Sequence, residues 1–74
     1  MKRYLFVVVA EKDEDGYYAF CPQLQGCYTQ GDTFEEVMDN IRDAIKLHVE
    51  DRLAENEPVP EAPLVSVSSI EVAI

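Results

Sequence analysis

One histidine and two cysteines in 74 residues leave this chain little with which to build imidazole, thiolate or disulfide chemistry. Cys21 and Cys27 are too few for the disulfide framework of a small secreted domain. Their C-x5-C spacing, with His48 far downstream, is not that of a zinc site. Both are read as reduced structural thiols of a cytoplasmic protein. Basic residues are scarce too. Six Lys and Arg against fifteen Asp and Glu give a net charge of −9, whose field repels the phosphate backbone and argues against direct nucleic-acid binding. No apolar run is long enough to span a bilayer, and Met1-Lys2-Arg3 followed by YLFVVVA lacks a small-residue cleavage site, so no membrane association is expected.

What the chain does have is apolar content, at 47%. At this length folding hides roughly 60% of the surface exposed by the unfolded chain. A core that thin, with no metal or disulfide to staple it, predicts self-association as a dimer or tetramer. The acidic surface in turn predicts a basic protein partner.

Residues 3–10, RYLFVVVA, are β-branched or aromatic and apolar at nearly every position, which predicts a central strand covered on both faces. After the acidic turn 11–16, YYAFC (17–21) and GCYTQ (26–30) predict a hairpin around the Pro22-to-Gly26 loop. Thr33-Phe34-Glu35-Glu36 is a capping box, in which the threonine oxygen takes a free N–H of the first turn and Glu36 reaches back. The helix it opens, about 34–54, carries Phe34, Val37, Met38, Ile41, Ala44, Ile45, His48 and Val49 on one side. Glu35, Asp39, Asp43, Lys46 and Glu50 lie on the other. Asn56 and Pro58 end it. Three prolines stiffen residues 55–63, and the apolar alternation of 64–74, shifted near Ser68-Ser69, predicts a last strand. The order is βββαβ: one α+β domain over residues 1–74, an antiparallel sheet with one long helix on one face. The other face requires a second copy or a partner to cover it.

Candidate chemistry is thin. Glu11, Asp13, Asp15 and Gly16 copy the first half of a calcium loop, but its closing position is Pro22 and the intervening residues read as strand. His48 sits on the apolar helix stripe with no nucleophile or acid at helical spacing, which suits a core or interface histidine. Nothing basic adjoins Cys21 to activate it. Tyr17, Tyr18, Phe20 and Tyr28 lack the basic neighbours that base-stacking proteins need, so they are expected to pack the hairpin or a protein interface. Leu47 is a minor interface candidate. No catalytic residue, metal ligand or cofactor is expected. Metal-dependent hydrolysis would need carboxylates converging from separate elements, whereas these cluster in one turn and along one helix face.

The string CPQLQGCYTQGDTFEEVMDNIRDAI, with EKDEDGYYAF ahead of it, resembles the N-terminal domain of HicB-type antitoxins and their stand-alone relatives. The likeness covers residue 4 to about 60. It implies a reduced ribonuclease H-like fold without its active site. It also implies a partner, HicA, a small basic toxin that cleaves messenger RNA, which the antitoxin would neutralise by covering the substrate surface. Exposure and charge then nominate Asp15, Tyr17, Asp32, Glu35 and Asp39 as partner-binding residues. The helix-turn-helix or ribbon-helix-helix domain of complete HicB antitoxins has no counterpart before Ile74, so repression of its own promoter is not expected. The alternative is a stand-alone oligomeric module that binds another protein or a ligand without any cognate toxin.

Overall fold

The hairpin sets the register of everything else. In the computed structural model, which describes residues 3–60 and 68–74, β1 (Val9–Asp13) and β2 (Gly16–Phe20) pair antiparallel across a two-residue turn, with Asp13 opposite Gly16. The Asp13 carboxylate accepts the Asp15 N–H at 2.8 Å, and Gly16 takes a left-handed φ of 137°. A Cβ at Gly16 would also lie 2.7 Å from the Gly31 carbonyl oxygen. Only glycine fits there.

β3 (Tyr28–Gly31) pairs on the far side of β2, giving the order β1-β2-β3. Between β2 and β3 the loop is pinned by backbone bonds from Cys21 N–H to the Cys27 carbonyl and from Leu24 N–H to the Cys21 carbonyl. Leu24, Cys21 and Cys27 are thereby buried.

Among the described residues β2 lies between β1 and β3, and the first strand they form is Val9–Asp13, against the expected 3–10. Counting back from the Asp13 and Gly16 pair, β2 reaches only Val9, opposite Phe20, before Pro22 turns the chain away. The Val7 N–H is satisfied by the Gln23 side-chain oxygen at 2.8 Å.

The helix α1 (Phe34–Ala54) matches its expected bounds. Thr33, in extended backbone, caps it by accepting the Glu36 N–H at 3.1 Å; among the described residues Glu36 makes no return bond. At the other end Asn56 adopts a left-handed φ of 56°. The Asn56 N–H then reaches the Leu53 carbonyl and the Glu57 N–H the Arg52 carbonyl. This pair of bonds is a Schellman stop, with asparagine where glycine is commonest.

Val37 and Ile41 of α1 are buried against Ala19, Cys21, Leu24 and Cys27, with Phe6, Val8, Met38 and Ile45 packed around them. Close approach is possible because β3 ends in Gly31, where a Cβ would fall 2.6 Å from the Val37 nitrogen. Of the expected last strand, residues 64–67 lie outside the described residues. Residues 68–74 form no strand among those described, and Ile70, Val72 and Ile74 are exposed.

Candidate functional site

The two-residue turn, the end of β3 and the first turn of α1 meet in a cleft of about 330 Å³. Three elements deliver its walls. The turn contributes Asp13 and Asp15; the pairing of Tyr17 with Gly31 sets β2 beside β3; Thr33 starts α1 so that Glu36 points back over Asp32 into the same space. The cleft thus brings together four carboxylates, the Tyr17 ring and Gln30. Tyr17 is held edge-on against Phe34, ring centroids 6.1 Å apart, with the Lys12 ammonium 5.9 Å from its own centroid. The Asn40 amide donates to the Gln30 carbonyl at 2.9 Å and ties β3 to the helix.

Of the residues nominated from sequence, Asp15, Tyr17 and Asp32 share this cleft, whereas Glu35 and Asp39 lie exposed on α1 outside it. Asp13, Gln30 and Glu36 are the additions. Asp13 was legible as the residue facing Gly16 across a tight turn, and Glu36 as the last member of the capping box. Gln30 depends on the register of β3 and carries no sequence signal of its own.

Chemically the cleft is an acceptor surface. Among the described residues no group of three or more His, Cys, Asp or Glu is arranged to hold a metal ion, and Asp13 already spends an oxygen on the Asp15 N–H. His48 stands half-buried on the helix and is not part of the cleft. The two cysteines are free and buried. Burial, reinforced by neighbouring Cys21, pushes the Cys27 thiol above its ordinary pKa of 9.0. A raised pKa keeps the thiol protonated and unreactive at neutral pH. No helix among the described residues is long and apolar enough to cross a membrane.

The second face of the sheet is aromatic. Tyr18 lies 5.9 Å from Phe20 and 6.3 Å from Tyr28, centroid to centroid, on the side away from α1. A small α+β domain with an acidic acceptor cleft, buried thiols and an aromatic second face has the makings of a binding protein.

Comparison with known proteins gives that class a family. Residues 5–72 match the model of the HicB-like antitoxins of bacterial toxin-antitoxin systems, and the chain belongs to that family. A UPF0150 protein of Synechocystis is 52% identical over 63 residues, which cover 84% of this chain and 80% of the relative. A UPF0150 protein of Helicobacter pylori is 41% identical over 93% of this chain and 96% of its own length. One from Thermoplasma acidophilum is 45% identical over 74% of this chain and 81% of its own. Membership of the family supports an antitoxin role in general terms.

Proposed function

We propose that the protein is the antitoxin of a HicA-type pair and neutralises a small basic ribonuclease without catalysis of its own. The observation that carries this is the cleft, where Asp13, Asp15, Asp32 and Glu36 converge from three elements in a chain of net charge −9. A ribonuclease must present Lys and Arg to hold RNA. Carboxylates spaced along a cleft offer those cations the same charge and acceptor geometry as phosphates, so antitoxin and RNA compete for one surface. Tyr17, braced by Phe34, supplies a rigid aromatic edge of the kind that anchors interfaces. Glu35 and Asp39 extend the negative field beyond the cleft and contribute to the rate of encounter more than to the lifetime of the complex. Two free thiols suit a reducing cytoplasm.

The test is calorimetric titration against a HicA-type toxin. Asp15→Lys with Asp32→Lys is expected to weaken binding by about 100-fold or more, chiefly through faster dissociation, and Glu35→Lys with Asp39→Lys by about tenfold, chiefly through slower association. Equal affinity for wild type and the Asp15/Asp32 pair would remove the cleft from the interface.

A further inference from the structure

Both cysteines of the chain flank the loop between β2 and β3, and the backbone there sets them face to face. Phe20 stands opposite Tyr28 in the sheet, so one step further Cys21 stands opposite Cys27. The Cys21 N–H donates to the Cys27 carbonyl at 3.0 Å, as in a hydrogen-bonded cross-strand pair. Such pairs hold their Cα atoms about 5.5 Å apart, inside the range of roughly 4.4–6.8 Å that a disulfide spans. Directly opposed residues point to the same side of a sheet, and Cys21 and Cys27 both enter the core cluster beside Ala19 and Leu24. The Cys27 N–H donates to the Leu24 carbonyl at 3.1 Å, within the loop and not across the pair, which leaves Cys27 room to tilt toward Cys21. Burial first and Cys21 second push the Cys27 thiol up, and the second cause acts between near neighbours.

A hollow of about 360 Å³ opens beside the pair, and both cysteines reach its wall. None of the described residues that line it is charged. At 2% exposure each, the two residues are shut to a bulky reagent. A net charge of −9 also repels anionic oxidants such as glutathione disulfide. A small neutral oxidant meets neither barrier.

We infer that Cys21 and Cys27 are a peroxide-responsive pair that closes a reversible disulfide across the 22–26 loop. Cys21 attacks hydrogen peroxide as the thiolate: an S–O bond forms, the O–O bond breaks, and the departing hydroxide takes up the proton that Cys21 released, giving water. The Cys27 sulfur then attacks the sulfenic acid. The S–S bond forms, the S–O bond breaks, and the Cys27 proton leaves with the hydroxyl as a second water. Peroxide gains two electrons, the two thiols lose two, and a small dithiol reverses the bond. Cys27, held protonated by burial, does not compete for the peroxide, and its repulsion by Cys21 ends once that sulfur carries oxygen. The cross-link fixes buried Leu24 in its loop and shares no residue with the acidic cleft. It stands whether or not the partner at that cleft is a toxin.

Mass spectrometry tests the pair in the full chain. Protein treated with hydrogen peroxide at pH 7, then denatured and alkylated with iodoacetamide, is expected to be a single chain that takes up no alkyl group. Its Cys21 and Cys27 peptides should be linked and lighter by about 2 Da, the two hydrogens lost. Dithiothreitol should restore two alkylation sites. Cys27→Ser is expected to accumulate a sulfenic acid at Cys21 that dimedone captures, whereas in Cys21→Ser the Cys27 thiol survives the same exposure. Because folding opposes the two cysteines, oxidised wild type is also expected to melt above the reduced protein, a readout that depends on no variant folding. Two alkylatable thiols after an exposure that oxidises half-buried Met38 would overturn the inference. So would a link between two chains, sulfinic acid in place of the link, or an oxidised form that melts below the reduced one.

Discussion

Three residues show how little side chain it takes to fix this geometry. At Gly31 a methyl group would meet the Val37 nitrogen at 2.6 Å and its Cα at 2.9 Å, both of them backbone atoms with nowhere to go. Gly31→Ala is expected to push the start of α1 off β3 and lower stability by about 1–3 kcal/mol in chemical denaturation. Because Gly31 also lines the cleft, binding of the proposed partner there should weaken in the same variant. Thr33→Ala removes the oxygen that accepts the Glu36 N–H and is expected to cost about 1 kcal/mol, read as a shift in denaturation midpoint at unchanged slope. Cys27 gives the third prediction. Its thiol is pushed above 9.0 by burial first and by Cys21 second, so the folded state holds that proton more tightly than the unfolded state. The associated stability is complete below the unfolded value and is lost as pH rises through the folded one. The unfolding midpoint should therefore fall above pH 9 in wild type and fall less steeply in Cys27→Ala.

Among the elements, what could be read from sequence follows how local each signal is. The bounds of α1 were legible because a cap and a stop are chemistry of four or five consecutive residues: Thr33 with Glu36 at one end, Asn56 before Pro58 at the other. The hairpin was legible from Asp15-Gly16 and from Pro22 to Gly26 for the same reason. The first strand was not. Its apolar run says that both faces avoid water but not which residues pair with β2, and the turn register sets Val9–Asp13 opposite that strand. The cleft divides in the same way. Asp15, Tyr17 and Asp32 flank turns and could be placed from sequence. Gln30 required the β2 to β3 register, and Glu35 and Asp39 fall outside the cleft because neighbours on a helix diverge by about 100°; Glu36 takes the inward direction.

For the whole molecule, charge and apolar surface divide the work. The carboxylates of the turn and helix start face one way, and an apolar groove with Arg42 and Lys46 at its rim lies between residues 4–8 and the middle of the helix. Binding at the cleft should also weaken with salt, since its charges lie at a surface where screening acts over about 8 Å under physiological conditions.

The central claim is that this protein silences a ribonuclease by occupying its RNA surface. The most direct measurement is cleavage of a labelled RNA by the purified toxin as this protein is titrated in. Cleavage is predicted to fall linearly to zero at a fixed molar ratio, and excess non-cleavable RNA should shift the titration as a competitor does. Cleavage that continues undiminished while the two proteins are shown to be in complex would contradict masking.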